Sequence, residues 1–103
     1  MAGQIAKDEA GNWVGLGDVG AQAQQVFKNI GLCLASVGAS AMDVIKVTTI
    51  LVDRANRDAV TAARISFFGN HRPPHTGIII AGLGSPEVLV EVEVTAYLPL
   101  KCG

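Results

Sequence analysis

Two carboxylates near the end of the chain, Glu91 and Glu93, are the first candidates for acid–base chemistry. Side chains two apart on a strand point the same way, so burial of both would raise one pKa through its neighbour and poise Glu91 as a base. The same spacing describes a solvated surface on which Glu91 is satisfied by Lys46 or by backbone amides, and both readings stand at this point. Glu93 suits a structural or solvated partner. His75 follows Pro73-Pro74, where it is either an ordinary start to a strand or a ligand contact, and His71 and Arg72 belong to a solvated loop. Cys33 and Cys102 have neither metal-ligand spacing nor a disulfide framework and are read as reduced thiols.

The elements that must position these groups follow from periodicity. From Asp18, a plausible N-cap, Ala23, Val26, Phe27, Ile30, Cys33, Leu34 and Val37 recur at three and four residues, which makes one buried helix face ending near Gly38. Val44 to Val52 is dense in β-branched residues and apolar on both faces, so it reads as an interior strand. A second helix follows, capped by Asn56, with Val60, Ala63, Phe67 and Phe68 as its stripe and Gly69 as its stop. Asn70 to Pro74 must be a loop. His75 to Gly82 and Val88 to Leu98 read as strands joined through Gly84-Ser85-Pro86 in an antiparallel hairpin. Before the first helix, Gly3 to Val14 holds a short strand-like piece and a turn at Asp8-Glu9-Ala10-Gly11, and Trp13 is expected to cover a sheet edge.

In the last strand Val88, Val90, Val92, Val94, Ala96 and Leu98 form a uniformly apolar face that meets the helices. Two helices cover one side of such a sheet. The other side presents Glu91, Glu93 and Lys46 among Ile and Leu, too apolar for free water and too charged for a sealed core, so contact between subunits around a wet cleft is expected. Composition agrees: half of the 103 residues are apolar, more than a monomer this small easily hides. The length fits one domain, residues 1–103. No apolar run approaches the roughly 20 residues that span a bilayer, and no signal peptide is visible, so a cytoplasmic location is expected. A net charge of −1 with scattered basic residues does not predict nucleic acid as a partner.

Gly3-Gln4-Ile5, the helix through Gln22 to Ile30, Asp43-Val44-Ile45-Lys46-Val47-Thr48, Phe67-Phe68, Pro73-Pro74-His75-Thr76 and Val90-Glu91-Val92-Glu93 resemble, in order and spacing, the RidA/YjgF (endoribonuclease L-PSP-like) family over nearly the whole chain. The resemblance implies an α+β fold of the Bacillus chorismate-mutase type, with two helices on one face of the sheet. It also implies a homotrimer whose sheets line an inner barrel, and three intersubunit clefts for a small-molecule ligand. Family members hydrolyse reactive imines and enamines derived from amino acids, and some carry older labels as endoribonucleases or translation inhibitors. No metal or organic cofactor is implied.

In the family an arginine in the motif Pro-X-Arg-Ser/Thr holds the substrate carboxylate, and a glutamate on the last strand positions the attacking water. Carried over, the resemblance makes Glu91 the catalytic residue and places His75, Gly77, Thr61 and Gly3 against the substrate, with the amides of Gly3 and Gly77 as donors. His75 stands at the arginine position. A neutral imidazole, of ordinary pKa about 6.5, lacks the guanidinium fork, and carboxylate binding should weaken by about 2 kcal/mol. Arg72 is the nearby cation that would replace it. Thr61 stands where the family has asparagine and Ala2 where it has serine, and the family's first strands are missing, so the chain is either a fragment or a trimer with an open edge. Three functions remain: an altered enamine or imine deaminase, a non-catalytic binding or regulatory trimer, and a ribonuclease. The last is disfavoured by the absence of a basic groove with stacking aromatics.

Overall fold

A computed structural model describes residues 3–97. Asp18 accepts a hydrogen bond from the Ala21 amide and opens α1, Val19–Ser36. At its far end the amides of Gly38 and Ala39 return to the carbonyls of Ala35 and Leu34, a pattern that Gly38 closes at φ 77°. Ala23, Val26, Phe27, Ile30 and Leu34 are buried as the periodicity predicts, but Cys33 is half-buried and Val37, in the cap, is exposed. Strand β1, Val44–Leu51, follows a 3-10 turn over Ala41–Asp43. A second 3-10 turn, Arg54–Asn56, precedes α2, Arg57–Phe68. The capping side chain there is Asp53, which accepts from the Ala55 amide, whereas Asn56 makes no side-chain cap. Because a 3-10 turn leads directly into α2, the side-chain cap falls at the start of that turn, three residues before the expected Asn56.

Strands β2, His75–Ile79, and β3, Val90–Ala96, do not form the expected hairpin. The sheet order is β2-β1-β3, with β2 parallel to β1 and β3 antiparallel to it. Apolar side chains on both faces of β1 demand the central position, and α2 supplies the crossover that a parallel neighbour needs. The chain from 80 to 89 then carries β3 to the opposite edge. Both helices pack on one sheet face, where Val47, Leu51, Val90, Val92 and Val94 meet the stripe of α1 together with Val60, Ala63 and Phe68. Phe27, Phe67 and Phe68 form a ring cluster with centroids 4.9–6.1 Å apart. Gly31 lets α2 approach there, since a Cβ on it would lie 3.3 Å from Phe67 Cε1.

The opening segment is tied to this frame without forming a full strand. Gln4 and Val92 exchange backbone hydrogen bonds of 2.8 and 3.1 Å, and the Asn29 amide donates to the carbonyls of Ile5 and Lys7. The expected turn forms, with Gly11 at φ 82°, and pairs Lys7 with Trp13, whose ring lies 4.6 Å beneath the Lys7 ammonium. Cys102, Leu98 and Ala2 lie outside the described residues.

Candidate functional site

Register decides where each candidate side chain emerges. Val47, Thr49 and Leu51 of β1 are buried toward the helices, and their parallel partners on β2 are His75, Gly77 and Ile79. Their antiparallel partners on β3 are Val94, Val92 and Val90. Thr48 and Ile50 point the other way, opposite Glu93 and Glu91. Alternation therefore puts His75 and Gly77 on the helix face of the sheet and Glu91 on the open face.

On the helix face, β2, β1 and α2 bound a cleft of about 950 Å³ lined by Thr49, Thr61, Arg64, His75 and Gly77, among others. The Thr49 hydroxyl lies 2.8 Å from His75 Nε2, which fixes the ring; which group donates depends on the tautomer. Burial, and then the positive charge of Arg64, hold the His75 pKa below its ordinary 6.5. The imidazole is thus neutral at pH 7 and cannot supply the charge of an arginine. A Cβ on Gly77 would make ordinary contacts of 3.5 Å with His75 and 3.6 Å with Thr49, so the glycine leaves the cleft floor bare without being sterically required.

On the open face, half-buried Glu91 meets Gly3. A Cβ on Gly3 would overlap the Glu91 carboxylate, so only glycine admits the side chain in this position. The Gln4–Val92 bridge and the Asn29 amide hold Gly3 there. Lys46 stands opposite Thr95, whereas Glu91 stands opposite Ile50, four residues further along β1, and no ion pair joins the two.

The structure thus brings together Thr61, His75 and Gly77 in one group and Gly3 and Glu91 in another, on opposite faces of one sheet. Arg72 joins neither. Its guanidinium donates to the carbonyls of Gly69 and His71, because the end of α2 offers unpaired acceptors closer at hand than His75. His71 is not a solvated loop residue: half-buried, it bonds the Val44 carbonyl at 2.8 Å and packs its ring edge-on to Phe68. Three further residues matter. Thr49 orients His75. Arg64, three positions after Thr61 and so on the same helix face, lines the cleft. Gln22, fully buried, donates to the carbonyls of Gly15 and Glu87 and accepts from the Leu89 amide. The spacing of Thr61 and Arg64 carried the second of these in the sequence; nothing in the pattern marks Thr49 or Gln22.

Among the described residues no group of three His, Cys, Asp or Glu side chains is placed to hold a metal, and no helix is long and apolar enough to cross a membrane.

The family model described as Endoribonuclease L-PSP matches residues 1–98. A RutC family protein of Pyrococcus horikoshii is 34% identical over 97 residues, spanning 94% of this chain and 76% of that one. The 3-aminoacrylate deaminase RutC of Acinetobacter baylyi is 29% identical over 98 residues, 95% of this chain and 77% of that one. The crystal structure of YyfB, a Rid-family protein from Yersinia pestis, superposes with a TM-score of 0.87 at 35% identity, covering 95% of this chain and 76% of that one. With the order of elements and these matches in agreement, the chain belongs to the RidA/YjgF family, also described as the endoribonuclease L-PSP or RutC family.

Proposed function

We propose that this protein hydrolyses a small imine or enamine in clefts shared between three copies of the chain. The observation that carries the reading is the split of the site: the Gly3–Glu91 pair and the Thr61–His75–Gly77 group emerge on opposite faces of one sheet, so a single chain cannot close them around one ligand. A neighbouring copy can, with the open face of one protomer set against the β2 edge of the next. That edge is exposed along its whole length, and Ile45, Ile78, Ile79 and Ile80 leave apolar surface near it for such a contact. The A. baylyi relative named as a 3-aminoacrylate deaminase supports the chemistry.

In that cleft Glu91 accepts a proton from a water as its oxygen adds to the carbon of the C=N bond. The tetrahedral adduct collapses when its nitrogen is protonated, and ammonia leaves a carbonyl compound behind. An enamine enters the same path after protonation at carbon. Thr61 and the His75 ring orient the substrate, and Thr49 holds His75.

The replacement of arginine by His75 favours a second reading, in which the trimer binds a metabolite without transforming it. Ammonia release from 2-aminoacrylate generated in situ separates the two. Turnover by the natural chain that falls about a hundredfold in Glu91→Gln supports the enzyme. An inert natural chain that gains activity as His75→Arg supports the binding protein. RNA left intact on incubation rejects the ribonuclease; the cleft lining offers no Phe, Tyr or Trp on which a base could stack.

A further inference from the structure

We infer that Arg64 is the carboxylate-binding residue of this chain, and that Arg54 and Arg57 on the same cleft wall select a ligand carrying a second carboxylate. The inference rests on the shared-cleft reading above and assigns its substrate class.

Arg64 is half-buried and lines the cleft beside His75, Thr61 and Gly77. Its Nε is shielded from water and has no hydrogen-bond partner. No ion pair engages its guanidinium among the described residues. A buried N–H left without an acceptor carries an uncompensated desolvation cost, so this group gains from a ligand that its fold does not provide. A carboxylate accepts two parallel bonds from a guanidinium fork, which a neutral imidazole at position 75 cannot offer.

The rest of the wall extends the same chemistry. Arg54, in the 3-10 turn, and Arg57, at the start of α2, line the cleft too, and Asp58 is the single carboxylate in the lining, so cations outnumber anions three to one. Arg57 and Arg64 are seven residues apart. That spacing is about 10 Å of helix rise on one face, and the long side chains shorten the gap between their tips. A five-carbon dicarboxylate bridges such a span, whereas a monocarboxylate leaves the outer pair of guanidiniums unused.

Hydrolysis of an imino acid yields a 2-oxo acid, so stable 2-oxo acids probe the cleft without turnover. Calorimetry on the assembled natural protein should show 2-oxoglutarate binding about tenfold tighter than 2-oxobutyrate. Arg64→Gln should weaken both about tenfold while melting like the natural chain, with partial recovery in Arg64→Lys, which restores charge without the fork. Arg57→Gln should abolish only the preference for the dicarboxylate. Equal affinity for the two acids, unchanged binding by Arg64→Gln, or tighter binding of inorganic phosphate than of 2-oxoglutarate would overturn the assignment. If hydrolysis fails while these affinities hold, the catalytic reading falls and the ligand assignment stands.

Discussion

The two edges of the sheet are built on opposite terms. Along β3, Val90, Val92 and Val94 are sealed beneath α1, and the segment at Gln4 adds a backbone bridge outside them. Along β2 every residue from His75 to Ile79 is exposed, though the strand is fully paired with β1 on its inner side. The first edge draws its order from the chain's own core. The second has hydrogen bonds but little burial, and since most of the stability of a strand comes from the packing of its side chains, it is the part of the sheet with the least packing of its own behind it. The groups most suited to chemistry are divided between the two: Glu91 rides on the self-sufficient edge and His75 on the open one, with Arg64 of α2 lining the same cleft as His75.

Substitutions can break that contrast. Leu34→Ala, in the core beneath the closed half, should lower the unfolding free energy by about 3 kcal/mol in urea titration, whereas Thr61→Ala in the cleft should stay within about 0.5 kcal/mol. Equal losses would refute the division. Glu91→Gln should cost about a hundredfold in ammonia release with an unchanged melting temperature, which marks the glutamate as chemical and not structural. Gln22→Leu keeps the volume but strands the Gly15 and Glu87 carbonyls and the Leu89 amide, and should destabilise by about 2 kcal/mol. Gly3→Ala forces the Glu91 carboxylate aside and should slow turnover about tenfold, with melting nearly unaltered because a flexible side-chain end can move.

The smallest effect is a pH dependence. His75 is held below its ordinary pKa, so as pH falls below 6.5 the unfolded chain takes up a proton before the folded one does. Stability present above that pH is therefore lost on acidification through the window between the two values. His75→Asn should flatten this part of the profile of melting temperature against pH, and an unaltered profile would show that the cleft exerts no such pressure on the ring.

Much of the closed half was legible in the residues. The stripe of α1 and the alternation of β3 each separate a wet side from a dry one, and that contrast writes itself into the order of side chains. Strand partnership does not leave such a mark. Gly84-Ser85-Pro86 suits a turn, and nothing local tells a hairpin from a passage across the sheet, so the neighbour of β2 was misassigned while its existence was not. Glu91, His75, Gly77, Thr61 and Gly3 could be picked out through family likeness, but their division between two faces depends on register, which alternation within one strand does not reveal. Arg72 looked close to His75 because it is close in sequence. The free carbonyls at the end of α2 decide otherwise.

The contacts of Gln22 have a consequence for phase. Its amide grips the chain at Glu87 and Leu89, immediately ahead of β3, from a helix 65 and 67 positions earlier. A slip of one residue would exchange Val90 with Glu91, driving an acid into the hydrocarbon and turning a valine toward the open face. Gln22 thus guards the parity of the strand, and a residue far away in sequence determines on which side of the molecule Glu91 emerges.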